Sequence, residues 1–453
     1  MNEKLKSSLR PALVAAAAFL AFGATLWMGF MWDDHRMIEQ NPRLSFSAAN
    51  LGRAFVGDPF DQGLNYYRPL QTISNMADFA VWGYRPFGYH LTNLAFHAAT
   101  AVLFLYLALA LGFGGGPAFL AATLLAVHPA AVEQMLVIAG RAELASSACL
   151  LASLLLFIKG RNAGAFAFFL AALGFKENGV AMPFLAAACL WYQGRGRADY
   201  RRLVPFFAFI PVYLLLRHLA LGMGALSHGA LPALAGLFTH VPAEVLAYIK
   251  EALLPFDMHS HRMRPDQAWL AWTALPALAA AALLIWKKGS RVLVFCALWY
   301  AINLAPKLPL LATNDLMLDH WVYLANAGLF LWAAQALYAT PARRLLPAAA
   351  AIFCLLSAFN ITLRDTDLKN YELAAVSSTS KPMLYNLARE YYLNGRTAKS
   401  RLILERINRE EPGNPMYLNG LALARLNDGD PAGALAEADA ALAARPGDPE
   451  AMY

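Results

Sequence analysis

The chain has 453 residues, of which 59% are hydrophobic and only 15% charged, and it carries a formal net charge of +7. About a quarter of an ordinary soluble domain is charged, so this composition excludes a disordered protein, a disulfide scaffold and a water-soluble enzyme of usual make-up. So much apolar surface needs lipid as part of its solvent; the positive charge is therefore read by position along the chain, and no nucleic-acid partner is expected.

The N-terminus is basic (Lys4, Lys6, Arg10) and runs into an apolar stretch ending near Met31. That stretch is long enough for one span, and no small-residue cleavage site precedes Trp32-Asp33-Asp34, so it reads as a retained first helix. Further apolar segments lie near 90–111, 117–135, 137–158, 163–175, 177–193, 203–221, 268–286, 291–306, 320–340 and 344–362. The expectation is a polytopic bundle of about 11 transmembrane helices, with 163–175 and 177–193 as a tight hairpin. The stretch 241–255 is broken by Pro242, Glu244, Lys250, Glu251 and Pro255 and reads as interfacial or re-entrant. Cys149, Cys189, Cys296 and Cys354 sit inside apolar runs without metal-ligand spacing.

Lysine and arginine set the sidedness. Clusters occur at Lys4/Lys6/Arg10, Lys159/Arg161, Arg195 to Arg202, Lys287/Lys288/Arg291 and Arg343/Arg344. With eleven spans all of them fall on one face, which the positive-inside rule makes cytoplasmic. The loop 32–89, the turns near 128–143 and 176–178, the segments 222–267 and 307–319, and the tail after 362 then lie outside.

The tail is different material. From Ser380 it is polar with helical periodicity, and Glu411-Pro-Gly-Asn-Pro-Met-Tyr417 recurs as Arg445-Pro-Gly-Asp-Pro-Glu-Ala-Met-Tyr453. Pro412 and Pro446 stand 34 apart, the tetratricopeptide period. The predicted architecture is all-α: a membrane domain over 1–365 and a tetratricopeptide solenoid over 366–453.

The ionisable motifs collect on the outer side, where a charge at membrane depth is expensive unless it lines a polar cavity. Asp33-Asp34 follows the first span, and a carboxylate fixed at the membrane surface suits general-base work. Arg68, in Tyr66-Tyr-Arg-Pro, has the forked geometry that grips a phosphate. His128-Pro-Ala-Ala-Val-Glu133 and Gly140-Arg141-Ala-Glu143 bracket the second outer turn. Lys176-Glu177 occupies the hairpin tip, where Lys176 can neutralise an anionic lipid headgroup and Glu177 can pair with it. His259-Ser-His261-Arg262-Met-Arg264 offers two imidazoles and two guanidinium groups; it lacks a third zinc ligand, so phosphate contact by Arg262 or Arg264 is the favoured role, and no metal site is assigned. Asp319-His320-Trp-Val-Tyr323-Leu opens a late span, with Asp319 explained as a helix start and His320 and Tyr323 left as candidates.

The order of these motifs resembles the transmembrane and tetratricopeptide-repeat protein O-mannosyltransferases and their bacterial relatives, of the GT-C class of membrane glycosyltransferases. The resemblance rests on Trp-Asp-Asp after span 1, Tyr-Arg-Pro-Leu, Phe-Gly-Tyr-His, His-Pro-x-x-x-Glu with Gly-Arg-Ala-Glu, Lys-Glu-Asn-Gly, and the repeats. It implies a polyprenyl-phosphate-linked sugar as donor, an acceptor hydroxyl on an extracytoplasmic protein, inverting transfer, and Asp33 and Asp34 as the catalytic pair. Arg68, His128, Glu133, Arg141, Lys176, Glu177, His261, Arg262, Arg264, His320 and Tyr323 are the expected donor-phosphate and substrate contacts. One departure matters: the family usually carries Glu-Arg-Tyr-x-Tyr-Leu at the late span, where this chain has Asp319-His320-Trp321, so a permanent cation is replaced by a titratable one. The expected partners are the lipid-linked donor, membrane lipids and an acceptor peptide gripped by the repeats. The expected setting is a bacterial inner membrane with site and tail in the periplasm. The competing readings are a GT-C transferase acting on a lipid or glycan, and a non-catalytic membrane scaffold.

Overall fold

The computed structural model describes residues 3–57, 66–221, 230–256, 262–265 and 268–446. Apart from one antiparallel pair of two-residue strands, Arg262–Met263 against Leu316–Met317, its regular structure is helical. The chain divides into two compact units. The first holds most of the residues up to Asp365; the second holds the tail from Thr366 together with Arg262–Arg264 and Asp315–Leu318.

The first unit is built around helix Arg141–Ile158, which is buried along nearly its whole length because neighbours cover every side. It packs on Pro86–Ala110 and on Asn162–Phe175. Small hydroxyl side chains let the backbones approach: Ser146 Oγ donates to Ala172 O at 3.0 Å and Ser153 Oγ to Ala165 O at 2.6 Å. Proline begins both Pro69–Trp82 and Pro86–Ala110, where a missing N–H costs nothing.

Among the described residues six helices are long and apolar enough to cross a membrane: Ser8–Trp27, Pro86–Ala110, Ile138–Ile158, Arg197–Leu221, Arg291–Thr313 and Pro341–Leu363. A seventh forms if Gly115–Val127 and Pro129–Leu136, bent by 48°, count as one span. The count therefore stands below the eleven expected. Three expected spans are helices of 12 to 14 residues, Met182–Gln193, Asn326–Tyr338 and Asn162–Phe175, each about 20 Å long against a hydrocarbon layer of about 30 Å.

The bend has a local cause. Pro129 holds His128 in an extended conformation, which stops the preceding helix. His128 then spends both ring nitrogens on backbone: Nδ1 accepts from Ala130 N at 3.1 Å and Nε2 donates to Ala252 O at 3.1 Å.

Among the described residues the second unit contains five helices, Asp367–Ser377, Lys381–Leu393, Thr397–Glu410, Pro415–Asn427 and Pro431–Ala444, each packed on the next. The turns at Gly395 and Gly429 both require a left-handed backbone (φ 72° and 81°), and these glycines stand 34 positions apart. The second copy of the proline motif lies almost wholly beyond residue 446, outside the described residues.

Candidate active site

The first unit carries a group of charged side chains in apolar surroundings, and its starting point is a tight turn after the first span. Asp34 N donates to Met31 O at 3.0 Å, closing Met31–Asp34. Trp32, inside this turn, is the one non-glycine described residue with positive φ (55°). A left-handed tryptophan costs roughly 1–3 kcal/mol and persists only where the surroundings enforce it.

The two aspartates of the turn have different environments. Asp34 is fully buried. Its Oδ2 accepts from Met31 N at 3.2 Å and from Ile138 N at 2.9 Å, and its Oδ1 accepts from Ala139 N at 2.9 Å. Burial pushes its carboxyl up to about 7, while the three N–H donors favour the anion and pull the other way. Asp33 is only partly buried, and its side-chain carboxylate makes no hydrogen bond among the described residues. Burial raises its carboxyl above the ordinary aspartate value, against the opposing charges of Arg36, Arg68 and His320. Of the two, Asp33 alone has oxygens available to a ligand.

Arg68, at the start of helix Pro69–Trp82, lies 3.6 Å from Glu177 and 4.2 Å from the centre of the Tyr66 ring. Lys176 and Glu177 sit where helix Asn162–Phe175 ends in a single tight turn. Burial raises the Glu177 carboxyl, but Arg68 and Lys176 outweigh it and hold the group below its usual value. Lys176 Nζ lies 2.9 Å from Glu143 Oε2, and Lys307 Nζ lies 3.2 Å from Glu143 Oε1. Asn178 Nδ2 donates to the same carboxylate at 2.6 Å, and Lys307 also donates to Trp321 O at 2.6 Å. Two lysines thus converge on one buried carboxylate. Nearby, His320 Nδ1 bonds Glu133 Oε1 at 2.9 Å, and its backbone N–H donates to Glu133 Oε2 at 3.2 Å.

Asp33, Arg68, Glu133, Lys176, Glu177 and His320 therefore come together in one electrostatically linked cluster. Other residues expected at the site are placed elsewhere. Arg141 is fully buried, with Asp78 at 2.5 Å, and donates to Asn93, Ser74 and Tyr89 O. Tyr323 is buried, its hydroxyl 2.7 Å from His97 Nδ1. His128 holds the helix bend. Arg262 and Arg264 belong to the second unit, where Arg264 pairs with Asp315 at 2.8 Å. His261 lies outside the described residues. Sequence reasoning missed Lys307, Glu143 and Asp78 as partners. Their signal was present, since each is a charged residue in or beside an apolar segment. Among the described residues no three His, Cys, Asp or Glu side chains converge to hold a metal ion.

The turn that meets Asp34 depends on a close approach. A Cβ on Gly140 would lie 2.3 Å from Gln134 O. Gly140→Ala is accordingly expected to displace Ile138–Gly140 and to cost about 1–3 kcal/mol, read as a lowered Tm of the detergent-solubilised chain. An unchanged Tm rejects the steric argument.

Comparison with known proteins finds relatives among the protein O-mannosyl-transferases. The chain is 36% identical over 154 residues to the mouse protein O-mannosyl-transferase TMTC2, covering 32% of this chain and 18% of that protein. It is 31% identical over 155 residues to mouse TMTC3 (33% and 17%) and 34% identical over 199 residues to Drosophila melanogaster Tmtc1 (41% and 23%). The chain thus matches about a fifth of the length of these relatives. No family model matches it, and no solved structure does.

Proposed function

This chain is TMTC-like, and on that premise we propose that it is an integral-membrane glycosyltransferase that moves a sugar from a polyprenyl-phosphate donor to a Ser or Thr hydroxyl of an extracytoplasmic protein. The observation that carries the reading is Asp33: a partly buried carboxylate with no hydrogen-bond partner, in the field of Arg68 and His320. In the proposed reaction the acceptor hydroxyl oxygen attacks the anomeric carbon from the face opposite the phosphate. Its proton passes to Asp33, the bond from anomeric carbon to phosphate oxygen breaks, and the configuration inverts. Arg68, with His320 and Lys176, stabilises charge on the departing lipid phosphate.

The scaffold reading is disfavoured by energetics. Burying Glu143 with two lysines carries a desolvation penalty of several kcal/mol per ion, and a scaffold gains nothing from it. Acceptor binding by the tail is supported by a cavity of about 320 Å³ lined by Tyr385, Arg389, Tyr392, Ser400, Leu404 and Leu423. The eleven-crossing arrangement, with basic loops in the cytoplasm of a bacterium and site and tail in the periplasm, belongs to the same proposal.

The test is mass spectrometry of envelope proteins from cells with and without the chain. Loss of a hexose mass from defined Ser or Thr sites is expected. Altered lipid-linked or glycan species with unchanged proteins moves the acceptor to that class. No difference in either rejects the transferase reading.

A further inference from the structure

The polar bonds around Asp34 form a connected set. Met31–Asp34 is closed twice, by Asp34 N on Met31 O and by Met31 N on Asp34 Oδ2. The same carboxylate reaches across to the turn Val137–Gly140 and accepts its two successive N–H groups, from Ile138 and Ala139. That turn is held from behind through its carbonyls. Gln71 Nε2 donates to Ala139 O at 3.1 Å, and Asn93 Nδ2 donates to Val137 O at 3.2 Å and to Ile138 O at 3.3 Å. Asn93 is itself fixed by Arg141 Nε at 2.9 Å, and Arg141 by Asp78. The left-handed Trp32 is the strained residue inside this clamp, and Asp33 follows it directly.

We propose that Asp34 is a positioning residue that, through the turn Val137–Gly140, fixes the backbone from which Asp33 reaches the acceptor. The doublet then divides its labour: one carboxylate is consumed by backbone amides so that its neighbour points into the site from a single conformation. The second half of this inference rests on the proposed role of Asp33; the first half, the clamp, does not. Arg141, expected as a ligand, becomes the far end of the same support, because its guanidinium donors are turned inward to Asn93 and Asp78.

The experiment uses the full chain in detergent with two readouts. The first is amide hydrogen exchange. In Asp34→Asn, the amides of Met31, Ile138 and Ala139 are expected to exchange about tenfold faster or more, because the replacement amide cannot accept all three bonds. Asp33→Asn should leave them unchanged. The second is transfer of mannose from polyprenyl-phosphate mannose to envelope proteins. Asp34→Asn is expected to lower kcat while keeping an acid limb in the pH–rate profile, because Asp33 still titrates. Gln71→Met, which loosens the turn without touching Asp34, should lower kcat to a smaller extent with the donor KM unchanged. Unchanged exchange in Asp34→Asn overturns the clamp. Loss of the acid limb in Asp34→Asn makes Asp34 the base and overturns the assignment. If exchange behaves as expected but Asp33→Asn retains full transfer, the clamp stands and the role of Asp33 falls. If Asp34→Asn does not accumulate, Gln71→Met decides: faster exchange at Ala139 with lowered kcat supports the proposal, and no change in either overturns it.

Discussion

Asp33→Asn is expected to lower sugar transfer by about 10²–10⁴-fold while leaving the amount of folded chain in the membrane unchanged. The fold should tolerate the change because the Asp33 carboxylate makes no hydrogen bond among the described residues that Asn would break. Its pH dependence is a second signature. Burial raises this carboxyl against the pull of Arg36, Arg68 and His320. The base must be ionised to work, so activity should rise with pH, through a midpoint above the ordinary aspartate value of 3.8. Initial rates measured across the acid range would check this. An acid limb at or below that value contradicts the environment described for Asp33, and full activity in Asp33→Asn ends its role as base.

The second large effect is on stability. Glu143→Gln leaves Lys176 and Lys307 buried beside a neutral amide. Breaking a buried ion pair on one side typically costs about 3–5 kcal/mol, because the remaining charge keeps its desolvation penalty and loses its partner. A clear fall in Tm and in accumulation is expected. The triple replacement Glu143→Leu with Lys176→Met and Lys307→Met removes all three charges and should recover much of the lost stability, since apolar replacements of buried ion pairs are often neutral or better. Transfer should not return with it, because the proposed phosphate contact from Lys176 is gone. An unchanged Tm in Glu143→Gln shows that water or rearrangement satisfies the lysines and removes the hub from the account of stability.

The legible part of the site was the part where chemistry is unusual locally. Asp33-Asp34, Lys176-Glu177 and Glu133 stand out because a charge beside an apolar run must have a reason. Arg68 stood out through its neighbours. What the sequence could not supply was which groups meet. Lys307 and Glu143 pair across a separation of 164 residues. Helix periodicity reports which face of a segment is buried, and it carries no information on what is packed against that face. Arg141, His128 and Tyr323 show the same limit. Each is a polar residue near the outer turns, equally compatible with a ligand or with an internal partner, and each proved to have its polar atoms satisfied inside the fold. The number of crossings is a different matter. Apolar composition measures affinity for lipid or core alike, so it does not by itself separate a short buried helix such as Met182–Gln193 from a full crossing.

By itself the sequence determined that the chain is a helical membrane protein with a repetitive polar tail, and that it resembles the O-mannosyl-transferases. These properties are written in composition, period and spacing, which depend on residues near one another in the chain. The tertiary structure decided which aspartate of the doublet is available and which is bound to the backbone. It also decided that one glutamate holds two lysines, and that Arg141 braces the turn Val137–Gly140. Such assignments depend on which N–H groups and charges packing brings within about 3 Å, a length scale that no local pattern encodes.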